Sequence, residues 1–254
     1  MRIMTKNYLI IVFLIFVFSV FYFLLSRAKN STDLYVRAIF APKEDLTVAV
    51  PYWVANSLKK GDREKTAFGQ TIAEITDIES YEGGGHGKHL IMEMKITAQR
   101  DRADNFSYKN QSLALNEWVD FNFGKVKQRG LITYLDAKPS KYPVKMLLVN
   151  LVKKKELTYI AGQVRIGDVM LNDKGEAMAR VTALKISPSV FKDANLAEAV
   201  DDIALSVEIT AKEINGILYF GEIAKIAVGQ KITLFFKNVT LWEADITSVG
   251  SLTD

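Results

Sequence analysis

Five blocks of residues recur in the same order in the two halves of this 254-residue chain. A repeat of this kind restricts the fold to two like units. With Gly61-Asp62 set on Gly167-Asp168, the same offset places Ile72-Ala73-Glu74-Ile75-Thr76 on Met178-Ala179-Arg180-Val181-Thr182. After a longer loop in the second copy, Lys95-Ile96-Thr97-Ala98 falls on Glu208-Ile209-Thr210-Ala211. Leu115-Asn116-Glu117-Trp118 then falls on Val228-Gly229-Gln230-Lys231, and Leu131-Ile132-Thr133 on Asp245-Ile246-Thr247.

The blocks read as strands. Leu90 to Ile96 and Ala204 to Ile209 come close to alternating apolar and polar residues, and Trp118 to Phe123 does so too. Turn chemistry separates them at Lys60-Gly61-Asp62, Gly83-Gly84-Gly85, Asn172-Asp173-Lys174-Gly175 and Val228-Gly229-Gln230. An opening strand is expected near Leu34–Phe40 and again near Val144–Val152. Short strands at this spacing point to small barrels or sandwiches. The repeated turns at Gly61, Asp62, Gly167 and Asp168 have a geometric explanation: glycine reaches positive φ, and aspartate caps its own backbone. One stretch, Ser187 to Val200, reads as a helix with a serine cap, inserted where the first copy has its glycine run. It is expected to lid its own barrel or to dock a partner.

Ahead of the repeats, Asn7 to Ser26 is a run of 20 residues without a charge. As a helix it would span about 30 Å, the thickness of a bilayer's hydrocarbon layer. Tyr8, Phe13, Phe16, Phe21 and Leu25 lie along it, and its apolar content favours insertion by about 6 kcal/mol. The run is long for a signal peptide and ends Leu24-Leu25-Ser26-Arg27 without a small-residue cleavage site, so an uncleaved single-pass anchor is expected. Charges nearly balance across it, and the α-amino group tips the N-terminus towards the cytoplasm. The resulting expectation is a mainly β protein: an N-terminal transmembrane helix followed by two tandem small β-barrel- or sandwich-like domains. Residues 1–30 form the tail and anchor, 31–137 the first domain, 138–143 a linker containing Pro139 and Pro143, and 144–254 the second domain. The location expected is the cytoplasmic (inner) membrane, with the repeats outside.

Charge argues against nucleic acid. The net +4 lies entirely in Arg2, Lys6, Arg27 and Lys29, so residues 31–254 are formally neutral and carry no basic stripe. The absence of cysteine rules out thiolate nucleophiles and cysteine-held zinc. The two histidines, His86 and His89, lie in Glu82-Gly83-Gly84-Gly85-His86-Gly87-Lys88-His89. Two imidazoles and a carboxylate are metal-ligand types, yet a glycine-rich hairpin tip is expected to be exposed and costly to order, and no metal or other cofactor is assigned. A phosphate loop would need glycine at Glu82 and serine or threonine at His89. The pairs Asp101/Asp104 and Asp201/Asp202 are expected in solvated loops. No catalytic residue is assigned.

Two resemblances add to this reading. Leu58-Lys59-Lys60-Gly61-Asp62 with Gly69-Gln70-Thr71-Ile72-Ala73-Glu74-Ile75, and Val164-Arg165-Ile166-Gly167-Asp168 with Val181-Thr182-Ala183-Leu184-Lys185-Ile186, are similar to bacterial one-span membrane proteins of the domain of unknown function 4330 type. Ile209-Thr210-Ala211-Lys212 and Val228-Gly229-Gln230-Lys231-Ile232 complete the pattern, which covers most of residues 34–250. This resemblance implies a bacterial envelope location and no known activity. A fainter one is to the mammalian-cell-entry domains of lipid transporters, which follow a single anchor helix, carry a Gly-Asp turn and assemble into rings. The expected function is a non-catalytic, membrane-anchored interaction or assembly module of the envelope, with a protein partner or a homo-oligomer. The alternative is an oligomeric component that handles lipid or another apolar cargo. A surface polymer is a further candidate ligand, and a metal-dependent enzyme using His86 and His89 is the third reading.

Overall fold

The computed structural model describes residues 11–20, 22, 31–85, 87–124, 126–189 and 199–252. The first sheet holds β1 (Ser31–Phe40), β2 (Val50–Pro51), β3 (Arg63–Lys65), β4 (Thr71–Glu82) and β5 (Gly87–Arg100). It also holds β6 (Phe106–Tyr108), β7 (Gln111–Ser112), β8 (Trp118–Phe123) and β9 (Val126–Asp136). The second holds β10 (Val144–Leu157), β11 (Val169–Leu171), β12 (Ala177–Pro188) and β13 (Val200–Ile214). β14 (Ile217–Phe220), β15 (Ala224–Lys225), β16 (Lys231–Phe235) and β17 (Thr240–Ser251) complete it.

The two sheets share one topology. The order β3-β4-β5-β1-β9-β8 is repeated as β11-β12-β13-β10-β17-β16. A small hairpin leaves the main path at the same point in each, β6–β7 from β5 and β14–β15 from β13. The protein is therefore mainly β, with two curled sheets of equivalent strands. Hydrogen bonds outside the ladders repeat as well. Thr76 Oγ1 donates to the Glu93 carbonyl at 3.0 Å, and Thr182 to that of Ser206 at 3.1 Å. Thr133 donates to Arg37 O at 3.2 Å, and Thr247 to Asn150 O at 3.0 Å.

The Gly-Asp turns superpose in detail. Gly61 N–H bonds Ile75 O at 2.8 Å, and Gly167 N–H bonds Val181 O at 2.8 Å. The return bonds, Ile75 N–H to Asp62 O and Val181 N–H to Asp168 O, are both 2.9 Å. Each aspartate also caps the turn through Oδ2, accepting from Lys59 N–H and Arg165 N–H at 2.8 Å. The glycines stand at φ +91° and +93°, in the left-handed region. A second pair has the same form: Asn116 and Gly229, at φ +64° and +82°, donate to Ile132 O and Ile246 O.

Compactness does not follow the sheet boundaries. One unit comprises Met1–Ala38, Lys59–Asp77 and Glu93–Ser140; the other comprises Ile39–Leu58, Ile78–Met92 and Lys141–Asp254. The outer halves of β4 and β5 thus belong to the second unit. Ile75, Ile96, Val119, Phe121 and Ile132 are fully buried in the first unit. The second unit buries Val149, Val164, Val207, Ile209, Leu234 and Leu241, and Tyr81 and Ile91 pack into the same core.

Two expectations change, and a third reaches beyond the described residues. Ser187 and Pro188 lie in β12, paired to Asp202 and Asp201 of β13, so strand pairing displaces the start of the expected helix. Residues 190–198 of that segment lie outside the described residues. Asp201 and Asp202 are strand residues, and Asp202 accepts the Lys155 N–H at 3.0 Å. At the N-terminus, residues 11–20 are helical and Phe13 and Phe16 are exposed, whereas Tyr8, Phe21 and Leu25 lie outside the described residues. Among the described residues no helix is long and apolar enough to cross a membrane.

Candidate docking site

Within the second unit, the outer halves of β4 and β5 sit against the turn between β11 and β12 and against the β13–β14 hairpin. Tyr81 bridges Asn172 in antiparallel fashion, and Asp173 N–H bonds the Ser80 carbonyl at 2.9 Å. Ser80 Oγ donates to the Asp173 carboxylate. Lys88 Nζ reaches both carboxylate oxygens of Asp173, at 2.7 and 2.6 Å.

Tyr81 is the anchor. Its ring is buried beside Phe220, with centroids 6.3 Å apart, and its hydroxyl donates to Gly221 O at 3.0 Å. Gly221 stands at φ +55°, and a Cβ there would lie 2.2 Å from the tyrosine oxygen. The close approach requires glycine. Burial, and then the carboxylates of Glu222 and Glu79, push the Tyr81 phenol well above its ordinary range, so it stays a neutral donor. Beside it Lys212 Nζ is held by Glu79 and by Glu222, the latter at 2.6 Å. The Glu222 side chain is fully buried, which makes the lysine its compensating charge.

A cavity of about 490 Å³ adjoins this contact, lined in part by Tyr81, Ile91, Ala177 and Met178, with Glu79, Lys174, Glu176 and Lys212 among its charged groups. A second, of about 500 Å³, is lined by Tyr52, Glu82, Phe235 and Thr240 among others.

The glycine-rich segment departs from the expected exposed tip. A Cβ on Gly83 would meet Ala49 at 2.4 Å, and one on Gly84 would meet Trp242 at 2.4 Å. These side chains close over Gly83 and Gly84, which serve close packing, whereas Gly85 stays exposed with open space around it. His89 is partly buried in β5, its ring 5.1 Å from that of Tyr81 and 6.5 Å from that of Phe235. Burial lowers its pKa to about 4, which keeps the imidazole neutral. His86 lies outside the described residues. Among the described residues no three histidine, aspartate or glutamate side chains are grouped as metal ligands. Asp101 is spent on its own turn, accepting from Ala103 and Asn105 N–H, and Asp104 pairs with Arg100 at 2.9 Å.

The first unit carries the equivalent groove, and among the described residues no counterpart of Tyr81 enters it. Its turn has the same two bonds as the β11–β12 turn. Thr66 N–H to Gln70 O and Gly69 N–H to Thr66 O match Asn172 to Glu176 and Gly175 to Asn172. Lys109 and Asn110, like Gly221 and Glu222, occupy the left-handed region. A groove of about 230 Å³ is lined by Thr66, Ile72, Thr97, Gln99, Tyr108 and Lys109 among others. These align with Asn172, Met178, Thr210, Lys212, Phe220 and Gly221 around Tyr81. At the turn's tip Phe68 is 98% exposed. Repeat alignment of the sequence pointed to the turns, but not to the groove, which forms only when β5 and β6 pair through Gln99 and Ser107.

No family model, curated protein or solved structure matches this chain.

Proposed function

We propose that the chain is a non-catalytic, membrane-tethered interaction module of the bacterial envelope, whose repeats bind the ends of strand hairpins. One observation carries this reading. The second sheet receives the outer end of the β4–β5 hairpin in a groove, with Tyr81 as its anchor, and the same groove is present on the first repeat beside a fully exposed phenylalanine. Backbone pairing supplies affinity in such contacts and alternate side chains supply selectivity. The charged groups around Tyr81 are committed to one another: Lys212 to two carboxylates, and Lys88 to Asp173. They serve as clamps for the hairpin.

The tether is the uncharged run Asn7–Ser26, and the repeats stand on the extracytoplasmic side. Carbonate extraction is expected to leave the full chain with the membrane and to release a form lacking residues 1–30. The interaction reading is tested by in-situ cross-linking of the full, tagged chain followed by purification. Recovery of a defined protein attached near Thr66, Phe68 or Lys109 supports it. Recovery of the chain alone, holding wash-resistant lipid, contradicts it and favours the cargo-handling alternative.

A further inference from the structure

We propose that the seam of the second curled sheet, between its edge strands β11 and β16, is a binding site for an extended peptide segment of a partner protein. The site lies within the second unit and is separate from both grooves described above. It adds a second contact to the interaction reading without depending on the groove of the first repeat.

Each sheet ends in two edge strands, β3 and β8 in the first and β11 and β16 in the second. At equivalent positions of the repeat, a side chain from one edge reaches a backbone N–H of the other. Asn122 N–H donates to Glu64 Oε2 at 2.9 Å in the first sheet, and Phe235 N–H donates to Met170 Sδ at 3.4 Å in the second. The two bonds differ in chemistry. Glu64 is buried and also accepts from the Tyr108 hydroxyl and the Lys109 ammonium, both at 2.6 Å, so its charge is compensated and the first seam is tied. In the second sheet Phe220 stands in the place of the tyrosine and Gly221 in the place of the lysine. The thioether of Met170 is a weak acceptor on a flexible arm. Phe235 N–H is thus a buried donor with a poor partner.

The cavity of about 500 Å³ opens beside this donor, within the size range of ligand sites. Val169 and Leu171, on either side of Met170, line it from β11, and Phe235 and Phe236 line it from the other edge. Its charged groups are one acid and one base, Glu82 and Lys237, a balance that does not suit a polyanion. A peptide strand supplies what this lining lacks. Its carbonyl oxygens replace the sulfur as acceptor for Phe235 N–H, and its apolar side chains cover Leu171 and Phe236. A strand end is already received at the neighbouring position. Directly after β11, Asn172 bridges Tyr81 of β4, and Asp173 N–H bonds Ser80 O at 2.9 Å. The peptide continues that pairing along β11 towards Met170.

The probe is a blocked peptide of alternating valine and threonine, added to the full-length chain in lipid nanodiscs. The readout is amide hydrogen exchange resolved at Phe235 and at Asn122. The peptide is expected to slow exchange at Phe235 by about tenfold or more and to leave Asn122 unchanged. The same peptide N-methylated at its amides keeps its side chains but cannot pair as a strand, and no slowing is expected from it. L171W fills the cavity from a half-exposed position and is expected to abolish the response, with its fold checked by circular dichroism. Exchange at Phe235 that the peptide does not move overturns the proposal, as does an unchanged response in folded L171W. Equal slowing by the methylated peptide or by lauric acid also overturns it, because the cavity then takes apolar chains rather than a strand. A failed cross-link at Thr66, Phe68 or Lys109 counts against the interaction reading of the first repeat and leaves this outcome untouched.

Discussion

Lys212 shows how much of the second unit hangs on single side chains. Its ammonium lies between Glu79 and the fully buried Glu222. K212M removes a cation bonded to both, and a cost of about 3–5 kcal/mol is expected from the buried carboxylate that loses it. Converting both glutamates to glutamine alongside K212M is expected to recover much of that loss in a denaturant titration. Gly221 makes a similar point through shape. G221A drives a Cβ into Tyr81 at a positive φ and is expected to cost more than about 2 kcal/mol. G229A has the same strained φ but open space around it, and about 1 kcal/mol is expected. His89 gives a pH dependence. Its folded pKa of about 4 lies below the unfolded value of about 6.5. The unfolded chain therefore binds the extra proton between these values, and stability is complete above pH 6.5 and lost as pH falls towards 4. The full difference is on the order of 3 kcal/mol. Thermal melts across that window should fall for the native chain and flatten for H89F.

Among the elements, the repeated turns and strands were legible in the sequence because they depend on neighbours close along the chain. Gly61-Asp62 and Gly167-Asp168 each bond a strand that follows within about 15 residues, and the periodicity of β5 and β13 is local too. D62A and D168A should each cost about 1 kcal/mol and match one another, because they delete the same 2.8 Å cap. A large disparity would argue against equivalent turns. What stayed hidden depends on distant residues. Gly83-Gly84 reads as part of a free tip until Ala49 packs on Gly83 and Trp242 and Phe235, about 150 residues later, close over Gly84. The burial of His89 follows from the same packing. The run from Ser187 to Val200 has helix formers, but Ser187 and Pro188 are taken up by pairing with β13. Local propensity loses where a partner strand is already in place. The docking groove was least legible, since its lining is gathered from three separate strands and two turns.

For the whole molecule, the account rests on two like sheets, one of which receives a hairpin from this chain while the other keeps the corresponding groove open. Duplication explains the shared topology, and Lys109 standing in the place of Gly221 explains why the two grooves differ in shape. An apolar leader that spans the bilayer would concentrate such modules in a plane, where weak contacts gain from high local concentration. Y81A is expected to cost about 3–5 kcal/mol by removing a buried anchor ring and to loosen the outer halves of β4 and β5, read as faster hydrogen exchange at Ser80 and Ile91. The most direct test of the central claim is native mass spectrometry of the full-length chain, gently extracted in detergent, beside its Phe68→Asp variant. The account predicts assemblies larger than one chain for the native protein and single chains for the variant. A bare monomer from the native protein, or assemblies that persist unchanged in the variant, would contradict it.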